Sequence, residues 1–147
     1  MEHNFVVIEN SARNWEEAIG LCAAELRQRN LVDEEFFAAC VEREKEFPTG
    51  LETEVGIAIP HTTANHVREN AICLLKLSQP VGFCRMDDPD EEAEVHFVFN
   101  LAICDPNQQL SVLRAIMKLV QDGDYMRQCQ QMTAEQLQDA VYARLYA

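Results

Sequence analysis

An α/β domain, layered helix–sheet–helix around a small mixed β-sheet, is the fold this sequence predicts. Three observations carry that prediction. Short β-prone runs occupy the middle of the chain, and segments of helical periodicity lie before and after them. The run over 95–103 is almost continuously apolar, as a strand covered on both faces must be.

Phe5-Val6-Val7-Ile8 is the first strand candidate. Asn14, three residues before Glu17, has capping-box spacing and opens a helix reaching to about Arg29. Its apolar stripe is Trp15, Ile19, Cys22, Ala23 and Leu26, and Asn30 stops it. Asp33 is expected to cap a second helix, with Phe36, Phe37, Cys40 and Val41 inward and Glu42, Glu44 and Lys45 outward. That helix ends by Phe47, because Pro48 drives the residue before it out of helical geometry.

Pro48-Thr49-Gly50 reads as a turn. Large and small residues alternate in Val55-Gly56-Ile57-Ala58-Ile59, so the branched side chains face one way and Gly56 and Ala58 the other. A layer lying close over the small pair would account for their size. Pro60 has no N–H to give a ladder, so it closes this strand and leaves His61 just past its end. Further strands are predicted over 71–77 and 95–103, with the acidic loop Asp87-Asp88-Pro89-Asp90-Glu91-Glu92 between them. From Asn107 the period is helical, with Leu110, Leu113, Ile116, Met117 and Val120 as the stripe and Gly123 interrupting it. Thr133 with Gln136 starts a last helix whose inner face is Leu137, Val141 and Leu145.

The 147 residues are 48% apolar and 25% charged, the mix of a soluble globular protein. One domain spanning 1–147 is expected, burying roughly 68–70% of the surface its unfolded chain exposes. Twelve Lys and Arg against 25 Asp and Glu leave a net charge of −13, which repels a phosphate backbone and excludes nucleic acid as a partner. No stretch of about 18 consecutive apolar residues offers a membrane span. The first 14 residues, broken by Glu2, Glu9 and Arg13, lack a signal-peptide core, so a cytoplasmic protein is expected. Cys22, Cys40, Cys73, Cys84, Cys104 and Cys129 are scattered singly and read as reduced thiols packed as small hydrophobes. No metal site and no cofactor are expected, since no candidate ligands share a usual short spacing.

The chemistry concentrates on His61. Functional groups in open α/β sheets gather at strand ends, and an imidazole there is neutral enough near pH 7 to offer one nitrogen as a nucleophile. His66 is assigned to the following loop, His96 to a partly buried strand position, and His3 to a frayed terminus. The acidic loop lacks the glycine and later glutamate of a calcium-binding EF-hand.

Gly56-Ile57-Ala58-Ile59-Pro60-His61 resembles the phosphorylated-histidine motif of the fructose/mannitol-type enzyme IIA domains of the bacterial phosphotransferase system. The likeness runs from about Phe5 to Leu145. Upstream it includes Glu42-Arg43-Glu44-Lys45-Glu46-Phe47-Pro48-Thr49-Gly50; downstream it includes Pro80-Val81-Gly82-Phe83, the 95–101 run and Gln109-Leu110-Ser111-Val112-Leu113. The stretch from Arg43 to Gly50 and the segment before Leu110 look closest to the galactitol-type branch.

That resemblance implies a phosphocarrier. His61 takes a phosphoryl group from the small carrier HPr and passes it to a cysteine of enzyme IIB, which serves the membrane component IIC. The family usually phosphorylates Nε2, and a backbone carbonyl is expected to hold the other ring nitrogen. Arg43 matches the family's arginine near the histidine, where a guanidinium binds phosphate oxygens. The hydroxyls of Thr49, Thr62 and Thr63 are candidate donors to the phosphoryl group. Gln109 stands where fructose- and mannitol-type members carry a second histidine; its amide donates a hydrogen bond but exchanges no proton near neutral pH. A second class of function within the same fold is the nitrogen-related regulatory type, in which His61 phosphorylation controls contacts with partner proteins.

Overall fold

Residues 4–146 are described by a computed structural model, and the strands within them form one four-stranded sheet. They are β1 (Asn4–Asn10), β2 (Ile57–Ala58), β3 (Ala71–Cys84) and β4 (Glu92–Ala102), in the order β1-β3-β4-β2. β1 runs parallel to β3 and β2 parallel to β4, while β3 and β4 are antiparallel. The sheet is therefore mixed, as the sequence predicts.

Helices α1 (Trp15–Gln28) and α2 (Phe36–Glu46) cover one face. Their Ile19, Cys22, Leu26, Phe36 and Cys40 pack with Ala58, Cys73, Leu75 and Val98. Helices α3 (Pro106–Val120), α4 (Gly123–Gln130) and α5 (Ala134–Leu145) cover the other. There Ile116, Leu119, Met126, Leu137 and Val141 pack with Ile57, Ile59, Ile72, Leu74 and Phe99. Ala58 and Ile57 thus enter different layers, which is the alternation read from the sequence.

Local chemistry explains the element boundaries. The Asn14 side chain accepts from the Glu17 N–H at 2.8 Å and caps α1. At the other end Asn30 adopts φ 63°, with Asn30 N–H bonded to Arg27 O and Leu31 N–H to Leu26 O. This pair of bonds is a Schellman closure, in which asparagine tolerates the left-handed geometry. Thr133 and Gln136 make the expected reciprocal capping box at the start of α5.

Several expectations are corrected. Asp33 makes a turn, accepting from the Glu35 N–H at 2.9 Å, and the helix begins only at Phe36. Its inward column is therefore Phe36, Cys40 and Glu44, so Glu44 is buried rather than outward, and Phe37 lies 41% exposed across Gly20 of α1. On α3 the buried residues are Val112, Ile116, Leu119 and Val120, whereas Leu110 and Met117 face out. Gly123 opens α4 instead of interrupting one helix, with the Asp122 carboxylate accepting from the Tyr125 N–H. What lies against Gly56 is a neighbouring strand rather than a covering layer: a Cβ there would sit 2.0 Å from the Glu94 carbonyl oxygen.

β3 runs on to Cys84, well past its predicted end at Leu77, while β4 starts slightly early at Glu92 and stops at Ala102; the two form a long hairpin with a register shift between Lys76 and Val81. All six cysteines are free thiols; four are buried, Cys84 is half-buried and Cys104 is exposed. His3 lies outside the described residues.

Candidate active site around His61

β2 ends at Ala58, and the next four residues form a turn that other elements hold at three backbone groups. The Ile59 N–H donates to the Thr49 hydroxyl oxygen at 3.0 Å. The Pro60 carbonyl accepts from the Asn100 side chain at 3.0 Å and from the Leu101 N–H at 2.9 Å. The Thr62 carbonyl accepts from Nε2 of Gln109 at 3.2 Å. Thr49 follows α2, Asn100 and Leu101 lie on β4 and Gln109 on α3, so the turn is tied to the sheet and to both helix layers.

His61 is half-buried, and its Nδ1 lies 2.8 Å from the Ile59 carbonyl oxygen. A carbonyl only accepts, so Nδ1 carries the hydrogen and the neutral ring keeps its lone pair on Nε2. Burial pushes the ring's pKa below its ordinary 6.5. The bond to Ile59 opposes this, and the nearby positive charge of Arg43 adds to it. A low pKa keeps the imidazole neutral and nucleophilic near pH 7.

Arg43, on the last turn of α2, stacks its guanidinium over the Phe47 ring at 4.6 Å. Its Nε is buried without a hydrogen-bond partner. Among the described residues no carboxylate pairs with it, although the chain is rich in acid. Arg85, by contrast, is bound to Asp87 and Glu52. An unmatched guanidinium beside a nucleophilic nitrogen is a place for an anion.

The threonines separate. Thr49 is buried, and its hydroxyl already donates to Glu44 and accepts from Ile59. Thr62 is buried and Thr63 exposed. His66 binds Asp33 through Nδ1 at 3.1 Å, and His96 is half-buried within β4, so neither shares the site. No group of three His, Cys, Asp or Glu among the described residues is arranged to hold a metal ion.

The family profile for the "Phosphoenolpyruvate-dependent sugar phosphotransferase system, EIIA 2" matches residues 1–143. The chain belongs to this family. The galactitol-specific EIIA component of Escherichia coli strain CFT073 is similar at 38% identity over 101 residues, which cover 68% of this chain and 67% of that protein. The crystal structure of mannitol IIA from Escherichia coli superimposes with a TM-score of 0.71 at 25% identity, covering 97% of this chain and 95% of that one. The same mannitol IIA, solved in complex with phosphorylated mannitol IIB, gives a TM-score of 0.67 at 24% identity over 97% and 94% of the two chains.

Two functional-looking residues of this EIIA chain escape the sequence reading. Glu44 reads as outward from its charge, yet it continues the column Phe36, Cys40 at four-residue spacing, and that column is the signal that finds it. Asn100 is the lone polar residue in the run from Phe97 to Ala102, fully buried, and such a group needs a partner. It finds Pro60, directly before the histidine. Phe47, which lies under the Arg43 guanidinium, and Leu110, the chain neighbour of Gln109, are 53% and 46% exposed.

Proposed function

We propose that this EIIA protein is a cytoplasmic phosphocarrier in which Nε2 of His61 accepts a phosphoryl group from phospho-HPr and hands it to a cysteine of enzyme IIB. The carrying observation is the Nδ1–H bond to the Ile59 carbonyl, which leaves Nε2 bare beside the unpaired Arg43. The Nε2 lone pair forms the new N–P bond as the donor's N–P bond breaks, and the donor ring, protonated on its other nitrogen, leaves as a neutral imidazole with the bonding pair. No proton has to move, so a second histidine is not required, in keeping with Gln109.

Arg43 binds the phosphoryl oxygens as charge gathers on them. Gln109 holds the Thr62 carbonyl through one amide hydrogen and has a second to offer the phosphate. Thr63 is the remaining hydroxyl free for that role, with Thr62 behind it. Phe47 and Leu110 supply apolar contact for the carriers.

The 38% relative's galactitol specificity supports a galactitol-like uptake route through IIC, with the whole chain acting as one domain. The complex of mannitol IIA with phosphorylated IIB supports IIB as the acceptor.

Incubation with phosphoenolpyruvate, enzyme I and HPr tests this reading. Acid-labile, base-stable phosphate is expected in the wild type and none in His61→Ala. Arg43→Ala should slow transfer by about tenfold, or about 1.4 kcal/mol of barrier. Label persisting in His61→Ala would remove the assignment.

A further inference from the structure

Behind the histidine turn lies a polar chain that the transfer step does not itself use. Glu44 is 5% exposed on the inner face of α2, where the sequence argues for an apolar residue. One of its oxygens, Oε2, accepts from the Thr49 N–H at 2.7 Å. The Thr49 hydroxyl lies 2.9 Å from Oε1 and 3.1 Å from Oε2, and it gives its one hydrogen to this carboxylate. Its lone pairs then face away from Glu44, and one of them receives the Ile59 N–H. The carbonyl of that same Ile59 receives Nδ1–H of His61.

Glu44 sets the one direction in this chain that is free to change, that of the Thr49 hydroxyl. A carboxylate only accepts, so the hydroxyl must donate to it. A hydroxyl so committed turns its lone pairs to the Ile59 N–H, which can only donate, and Ile59, held there, presents its carbonyl to the ring. We infer that Glu44 is a positioning residue for His61, acting through Thr49 and Ile59 to keep the imidazole in the tautomer and orientation that leave Nε2 bare.

This rests on reading His61 as the phosphoryl acceptor. The role it gives Thr49 replaces that of phosphate donor: the hydroxyl is spent inside the scaffold. Glu44→Gln keeps the shape but reverses one contact, because the amide NH₂ donates where a carboxylate oxygen accepted. Thr49→Val keeps the shape and removes the acceptor for Ile59; Thr49→Ser keeps the hydroxyl.

The experiment measures the ring ¹⁵N shifts of His61 in the full chain, at about pH 8 where the imidazole is neutral, together with the rate of phosphorylation by phospho-HPr. The wild type should show a protonated Nδ1 and a bare Nε2. In folded Glu44→Gln and Thr49→Val the two nitrogens should move toward exchange-averaged values, and transfer should fall about tenfold. Thr49→Ser should restore the wild-type pattern and recover the rate to within about threefold of wild type.

Ring shifts unchanged in the folded variants would overturn the inference, whatever the rates do. Should Glu44→Gln fail to fold, the Thr49→Val and Thr49→Ser pair decides the matter alone. A wild type that takes no phosphate from phospho-HPr defeats the phosphocarrier reading, and the ring shifts still decide whether Glu44 and Thr49 orient the imidazole.

Discussion

At His61 burial, and behind it the charge of Arg43, outweigh the raising effect of the Ile59 carbonyl, so the ring holds its proton less tightly than a free imidazole. Acceptor activity needs the neutral ring, and in Glu44→Gln, where no carboxyl titrates at about 7 behind the ring, the phosphorylation rate should stay level from about pH 8 down to the ordinary histidine range and fall only below it. Rates measured against pH with phospho-HPr in excess check this, and an acid limb centred above 6.5 would contradict it. Glu44 moves the opposite way: burial raises its carboxyl from 4.5 to about 7, against the lowering effect of its bonds from Thr49. Between those two pH values the folded protein holds a proton that the unfolded chain has released, so raising pH through the window removes stability. Relative to Glu44→Gln, the wild type should lose on the order of 3 kcal/mol across it and then level off, read from urea midpoints at a series of pH values. The histidine and the arginine were legible in the sequence because their types and neighbours are distinctive. The supporting carboxylate was not, because its partner Thr49 lies beyond the helix end and periodicity carries no information about a turn.

Among the elements, β2 is the shortest strand and the one that delivers the site. It is two residues long, and Pro60, with no N–H to give a ladder, stands just past its end. The Gly56 carbonyl just before the strand accepts from the His96 N–H, and the two strands stay in register through Ile57 and Phe97. Gly56→Ala would force a methyl group against the Glu94 carbonyl, where backbone and not a flexible side chain must yield. A loss of about 3 kcal/mol in urea unfolding is expected, at the upper end of overpacking costs, with slowed phosphorylation of the folded fraction. The sequence named this glycine and gave it the wrong neighbour. Alternation tells which way a side chain points but not how near the adjacent strand lies. On α3 two stripes share the predicted Ile116 and Val120, one adding Leu110 and Met117 and one adding Val112 and Leu119. Only the sheet beneath decides between them, and it selects the second.

For the whole molecule, the three layers followed from the sequence because a continuous apolar strand demands cover on both sides. The strand order did not. It depends on β1 finding β3 across 60 and more residues of chain, and on the β3–β4 hairpin separating β1 from β2. That order brings α2, β4 and α3 together around one short turn. A surface loop ordinarily opens on its own, independently of the core. This one has no such freedom, since Ile59, Pro60 and Thr62 are moored to three different parts of the fold. Deuterium should therefore replace the Ile59 amide hydrogen as slowly as it replaces those in the middle of β3. Exchange as fast as in the connection between Cys84 and Glu92 would mean that the proposed phosphoryl acceptor swings on a hinge, and that a carrier docking there would meet a moving target instead of a fixed one.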